Sequence, residues 1–174
     1  MRYTYCPDCG QRLTLRPLGD EGPVPFCGRC SRPWFDMFSS CVLVLVHDGA
    51  GNVLLLREDY ISRRYLNLVS GYIRPGERAE DAARREVSEE TGLALQDLAI
   101  AGTWWFPEKE LLMIGFVGRA GGRDFALSGE VDDARWVSGG EALSLVPPRG
   151  PENATHYLVE AYLGGRAAPV LPTA

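Results

Sequence analysis

A layered α/β domain with a small four-cysteine ribbon on its N-terminal side is the fold class this sequence predicts. Three observations carry that expectation. Cys6, Cys9, Cys27 and Cys30 form two C-x-x-C pairs with 17 residues between them. After Pro33 the texture changes to apolar runs of strand length, Cys41–Val46 and Val53–Arg57, joined by a turn over His47–Asn52. Arg78 to Thr91 then has no Pro or Gly, is rich in Ala, Glu and Arg, and is followed by Gly92, which reads as a helix with a glycine stop. Strands interleaved with helices pack as layers around one core, and 174 residues are enough to bury such a core.

Taken in order, residues 1–33 are expected to form the ribbon and 34–174 the α/β domain. The segment between the cysteine pairs carries Gly19, Asp20, Gly22, Pro23 and Pro25 and has no apolar period of its own. Beyond the first two strands, Leu66–Ser70 reads as a third, ended by Gly71. Leu98–Phe106 and Leu111–Arg119 read as strands around a turn at Pro107–Glu110, and Gly139–Leu145 and Asn153–Leu163 as helices. There is no internal repeat and no low-complexity stretch.

Composition narrows the function classes. No apolar run approaches the roughly 20 residues of a membrane span, and MRYTYCPDCG lacks the apolar region of a secretory signal. The expectation is a cytoplasmic protein without a membrane partner. Eighteen basic against 23 acidic residues give a net charge of −5, a poor match to the phosphate backbone of a nucleic acid. Lys109 is the only lysine, and that arginine excess reads as composition bias.

The cysteine spacing suits four thiolates converging on one zinc ion from two tight turns. Gly10, just after Cys9, and Gly28, inside the second pair, suit such turns. The competing reading is two disulfides, which a reducing compartment disfavours. A closed structural Zn2+ site is expected, with Cys41 a plain buried thiol.

The densest chemical signal is GYIRPGERAEDAARREVSEETGL, Gly71–Leu93. Glu86, Glu89 and Glu90 stand at i, i+3 and i+4 on the predicted helix and therefore share a face. Three carboxylates so placed repel one another, and the turn before the helix ends beside a further acid, Glu77. Either this is a solvated acidic face, or it is an oxygen cage for a hard divalent cation that shares substrate phosphates.

The segment resembles the Nudix box, G-x5-E-x7-R-E-U-x-E-E-x-G-U with U aliphatic. Gly71, Glu77, Arg85, Glu86, Val87, Glu89, Glu90, Gly92 and Leu93 fill its nine fixed positions. The resemblance implies a Nudix α/β/α sandwich around a mixed sheet and hydrolysis of a nucleoside diphosphate linked to another moiety, with Mg2+ or Mn2+. It implies Glu86 and Glu90 as metal ligands, Glu89 as ligand or base, and the Ser70 carbonyl as an extra ligand. It has Arg85 holding Glu77 rather than touching substrate.

A wider resemblance covers nearly the whole chain. A four-cysteine ribbon fused to a Nudix domain resembles the NADH pyrophosphatase subgroup, which implies a homodimer. Glu130-Val131-Asp132-Asp133-Ala134-Arg135-Trp136 is similar to that subgroup's E-x-x-x-A-R-W-F segment, which makes Glu130 a ligand or base. Ala101–Pro107 keeps the W-x-F-P core of the subgroup's S-Q-P-W-P-F-P signature and lacks its S-Q-P. Trp104 and Phe106 are thereby candidates for contacting substrate, with Phe35 and Ala154 as looser matches. The implied reaction splits NAD(H) into AMP and nicotinamide mononucleotide. ADP-ribose, FAD, diadenosine polyphosphates and NAD-capped RNA 5′ ends are the alternatives within the enzyme class. A different class, a nucleic-acid-binding ribbon or sensor, draws on Arg2, Arg12, Arg16, Arg29 and Arg32 in and around the ribbon.

Overall fold

The computed structural model describes residues 3–150 and 153–165; Arg2 lies outside the described residues. The chain divides into two compact units between Phe38 and Ser39.

In the first unit, β1 (Thr14–Pro17), β2 (Pro23–Cys27) and β3 (Arg32–Pro33) form an antiparallel sheet in that order. Its buried core is small: Cys6, Cys27 and Trp34, with Tyr3 and Leu13 packed against them. Gly10 takes the left-handed conformation (φ 73°) directly after Cys9. The matching position after Cys30 is Ser31 (φ 53°), not Gly28, so the second turn spends backbone strain where the first uses a glycine.

The second unit is built on a mixed sheet. Its strands are β4 (Ser39–His47), β5 (Asn52–Arg57), β6 (Val69–Tyr72), β7 (Leu95–Phe106), β8 (Leu111–Ala120) and β9 (Asp133–Ser138). The order is β7-β8-β4-β5-β9, with β6 also pairing β4. The β4–β8 pair is parallel and the others are antiparallel. The helices are α1 (Ala79–Thr91), α2 (Gly139–Leu145) and α3 (Ala154–Leu163).

Strand alternation sorts the core into two layers. Val42, Val44 and Val46 of β4, with Leu54 and Leu56 of β5, pack with Ala82, Ala83 and Val87 of α1. Leu43 and Leu45, with Val53 and Leu55, join Ala142 of α2 and Leu158 of α3 in the other cluster. Each such fully buried aliphatic contributes roughly 1.5–3 kcal/mol from its removal from water. The result is a helix–sheet–helix sandwich, the expected fold class. Among the described residues no helix is long and apolar enough to cross a membrane.

Several elements depart from the expected bounds: β7 begins at Leu95 rather than Leu98, and the third strand, β6, begins at Val69 rather than Leu66. The third strand does not stop at Gly71 but runs through it, with Gly71 paired to Val42 and Tyr72 to Cys41. The segment after Glu130 contains a sheet strand, β9, paired with the whole length of β5.

Candidate active site

Helix α1 places the acids. It begins after Arg78, has Glu80 and Asp81 in its first turn where the N-terminal end of the dipole favours them, and ends on Gly92 in the left-handed conformation, whose N–H bonds the Ser88 carbonyl at 2.9 Å. Val87, Ala82 and Ala83 face the core, which leaves Glu86 and Glu89 toward the adjoining cleft and draws Glu90 into its floor.

Arg85 organises the loop before the helix. Its Nε and Nη2 donate to the two Glu77 oxygens at 2.7 and 2.9 Å, its Nη1 to Glu86 at 2.6 Å and Glu89 at 3.1 Å, and its Nη2 to the Tyr72 carbonyl at 3.1 Å. Such a fork is within the reach of a planar guanidinium and not of a lysine ammonium. Arg74 adds a second cation on Glu89, at 3.1 and 3.3 Å, and its backbone N–H donates to Glu77 at 2.9 Å. The repulsion read from the sequence is therefore relieved for Glu86 and Glu89 by arginines.

Glu77 shows the consequence. The Arg85 guanidinium, then the Arg74 N–H, hold its carboxyl at about 2 against an ordinary 4.5. A folded pKa below the unfolded one gives stability that is present above about 4.5 and lost as pH falls toward 2. Glu77→Gln is expected to flatten the acid-unfolding profile across that window, as followed by circular dichroism. Superimposable profiles for wild type and variant would show that the pair does not hold the loop.

Glu90 is the opposite case. It is 6% exposed, and its Oε2 is buried without a hydrogen-bond partner. Burial pushes its carboxyl up to about 8, and Glu58, Glu86, Glu130 and Glu89 add like charge. A buried, unpartnered carboxylate oxygen among other carboxylates is an expensive arrangement unless a cation completes it. Gly71 provides a second sign of a built seat: a Cβ there would lie 2.1 Å from Cδ of Glu86, so only glycine leaves room for that carboxylate against β6. An oxygen-only donor set of this kind fits a hard divalent cation.

Gly71, Glu86, Glu89 and Glu90 line one cleft of about 670 Å³, together with Ser70, Tyr72, Arg74, Lys109 and Glu130, whereas Glu77 and Arg85 are not part of its lining. Glu130 arrives on the loop after β8. That loop is tied to the end of α1 by the N–H of Ala126 on the Thr91 carbonyl (2.8 Å) and of Ser128 on the Glu90 carbonyl (3.1 Å). Cys41 also touches the cleft, its thiol raised to about 11 by burial and then by Glu86.

Not every nominated residue meets there. Trp104 is 3% exposed and packs in the core layer of α2 and α3, its ring so close over Gly115 that a Cβ would lie 2.3 Å from it. Phe106 is half-buried against the same layer, and Ala154 is buried at the start of α3. None of the three lines the acidic cleft. Phe35 belongs to the first unit, where it is exposed beside a groove of about 270 Å³ shared with Leu15, Pro23 and Trp34.

Residues not nominated from sequence do line or support the cleft: Tyr60, Tyr72, Arg74, and Glu58 behind Tyr60. Lys109 was visible as the lone lysine, but nothing in the sequence placed it beside the acids.

In the first unit the four sulfurs of Cys6, Cys9, Cys27 and Cys30 lie within 4.8 Å of one another, and all five cysteines of the chain are free thiols. Cys6–Cys30 is 3.9 Å and Cys9–Cys27 3.5 Å. A tetrahedron of Zn–S bonds of about 2.3 Å has edges of about 3.8 Å, so the cluster suits zinc. The thiols compete for charge. Cys6 falls to about 7 where the backbone N–H groups of Cys9 and Asp8 outweigh burial, while Cys30 is driven to about 12 by Cys9, burial and Cys27. Four thiols this close can all ionise only with a cation among them.

With this geometry in place, comparison with known proteins is decisive for the family. The sequence profile of the NUDIX domain matches residues 37–158. The chain belongs to the Nudix family. Its Nudix domain also resembles solved structures. A NUDIX hydrolase from Nitrosomonas europaea superposes with a TM-score of 0.66 at 20% identity, over 95% of this chain and 96% of that one. The MutT protein from Methanosarcina mazei Go1 gives 0.58 at 28% identity, over 76% and 97%. Among curated relatives, this Nudix protein is 30% identical over 174 residues to the NAD-capped RNA hydrolase NudC of Pseudomonas fluorescens (strain Pf0-1). It is 33% identical over 178 residues to the protein of the same name from Stutzerimonas stutzeri (strain A1501). Each match covers 98% of this chain, which spans about 60% of the length of these curated relatives.

Proposed function

We propose that this Nudix domain hydrolyses the pyrophosphate linkage of an NAD moiety, releasing AMP and nicotinamide mononucleotide from free NAD(H). The observation that carries the reading is the buried, unpartnered Glu90 carboxylate at the floor of a cleft lined by Glu86, Glu89 and Glu130. The names of the curated relatives favour a second form of the same substrate, NAD at an RNA 5′ end, in which the same bond is cut.

In this reading Glu86, Glu89, Glu90, Glu130 and the Ser70 carbonyl hold Mg2+ or Mn2+. When bound, the cation supplies Lewis-acid charge to the pyrophosphate oxygens and to the attacking water. Glu90 contributes its full negative charge at the cleft floor, because a cation there removes the reason for its proton. Arg85 keeps Glu77, Glu86 and the Tyr72 carbonyl in register and touches no substrate. Arg74 and Lys109 put positive charge at the cleft wall, where phosphate oxygens pass. Glu130 is the favoured base for the water, because both Glu89 oxygens already accept hydrogen bonds from the Arg74 and Arg85 guanidinium groups. Zn2+ in the ribbon is structural in this reading, and a homodimer is carried over as part of it.

The test is a panel of NADH, NAD+, ADP-ribose, FAD and a short NAD-capped RNA, with products identified by mass, first in Mg2+ and then in Mn2+. The expected result is AMP and nicotinamide mononucleotide from NADH and NAD+ at kcat/KM values within about tenfold of each other, because stacking discriminates weakly between bases. If the RNA body adds affinity, the capped RNA exceeds free NAD+ at low salt and loses that advantage as salt rises. A preference for ADP-ribose over every dinucleotide would remove the nicotinamide reading.

A further inference from the structure

Glu58 follows β5 and is 1% exposed. Its Oε1 accepts the Tyr60 hydroxyl at 3.0 Å, and its Oε2 accepts the Asn67 side-chain amide at 3.3 Å. Its carbonyl accepts the N–H groups of Ile61 and Ser62 at 2.9 and 3.0 Å. The same loop is held at Asp59, whose N–H donates to Asp132 at 2.8 Å. It is held again at Ser62, whose hydroxyl oxygen accepts from the N–H groups of Arg64 and Tyr65. Residues 58–65 are thus held by hydrogen bonds both within the segment and to Asn67 and Asp132.

Tyr60 is nevertheless 71% exposed and lines the acidic cleft. Only its hydroxyl end is anchored, on a carboxylate that burial has removed from solvent. The ring borders the same cleft as Glu86, Glu90 and Glu130, the acids that would hold the cation.

An exposed aromatic normally swings between rotamers, and a ligand that stacks on it must freeze that motion. Here the far end of the ring is tied to Glu58, so less motion is left to freeze when a ligand stacks on it. The chemistry of a dinucleotide supplies the occupant: each base is separated from the pyrophosphate by one ribose, so an aromatic face bordering the pyrophosphate site is within a base's reach. Trp104 and Phe106 leave this role open, since they lie in the core layer and outside the cleft.

We propose that Tyr60 stacks one base of a dinucleotide whose pyrophosphate sits at the Glu86–Glu90 cluster, and that Glu58 is the positioning residue that holds the ring. The inference rests on the pyrophosphatase reading, and its test separates the two. The full chain, wild type and the Y60A, Y60L and Y60F variants, is assayed for kcat and KM on NADH. Binding of AMP and of nicotinamide mononucleotide is measured separately by NMR, with Ca2+ in place of Mg2+.

Y60A and Y60L are expected to raise KM about tenfold with kcat changed by less than about threefold, the signature of lost stacking. Y60F keeps the face and loses the anchor, and is expected to raise KM by about two- to threefold. The base that Tyr60 serves is identified by which nucleotide binds more weakly to Y60A. Unchanged KM in Y60A, or a fall in kcat at unchanged KM, overturns the proposal. If the wild type cleaves no dinucleotide but one nucleotide binds more weakly to Y60A, the activity reading falls and the stacking role stands. Equal binding of both nucleotides to wild type and Y60A removes the stacking role whatever the turnover.

Discussion

Glu90→Gln is expected to lower kcat by about a hundredfold or more while leaving the fold intact, the scale of losing one major electrostatic contribution at a reacting centre. The substitution keeps the shape of the side chain and removes its charge. In the wild type that charge is confined where Oε2 has no hydrogen-bond partner and where Glu58, Glu86 and Glu130 add repulsion. The arrangement is unfavourable for the protein alone and favourable only with a cation. The sign of the stability effect follows. A carboxyl whose folded pKa is raised to about 8 is bound to its proton more tightly in the fold than in the unfolded chain. The metal-free protein therefore loses stability as pH rises from about 4.5 toward 8. Without added metal, the variant should be at least as heat-stable as the wild type, with the larger advantage at pH 8. With Mg2+, the wild type should gain stability and the variant much less. Near-normal kcat in a folded Glu90→Gln protein would remove Glu90 from the metal site. A variant markedly less stable than wild type in the absence of metal would show that the carboxylate serves the fold instead.

How far this site could be read from the sequence depended on whether its parts share one element. Glu86, Glu89 and Glu90 do, and helical spacing alone puts them on one face. Arg74 and Glu58 do not. Arg74 reaches Glu89 from the loop before α1, and Glu58 follows a strand, where an acid looks like any solvated strand end until the chain folds over it. Tyr60 is legible only through Glu58, because an exposed tyrosine in a loop has no pattern to announce it. Gly71 misled for a physical reason. A glycine after an apolar run reads as a stop, whereas here it continues β6 and is required because the Glu86 carboxylate occupies the space of its missing Cβ. The ribbon strands escaped because β1 is exposed at every residue and β2 carries two prolines, so neither has an alternating pattern. Trp104 was ambiguous in sequence, since the same aromatic run serves a core or a binding face. The absence of a side chain at Gly115 draws its ring inward.

Cys27→Ser is expected to release the ribbon metal and unfold the first unit while the Nudix sheet keeps its own core. Native protein should carry about one zinc per chain, lost on strong chelation or denaturation. The argument is one of scale. The buried cluster of the first unit contains two of the cysteines themselves and one large residue, Trp34, while β1 is exposed throughout. A core that small does not hold a fold against chain entropy without a staple. Structural zinc supplies about 10–16 kcal/mol in peptides of comparable size, well beyond what these apolar contacts offer. Cys27 is the severest position to test, being fully buried, 3.5 Å from the Cys9 sulfur and the acceptor of the Cys30 N–H at 3.3 Å. Serine is smaller, harder and a much weaker zinc ligand than a thiolate. The second unit has both of its core layers to itself and needs nothing from the cysteines. Limited proteolysis of the variant should therefore remove the N-terminal residues and leave a resistant fragment beginning near Ser39, with elemental analysis showing zinc lost in parallel. Wild-type protein without zinc, its four cysteines titrating as two disulfides, would overturn the assignment. A variant that keeps zinc and resists protease would take Cys27 out of the ligand set.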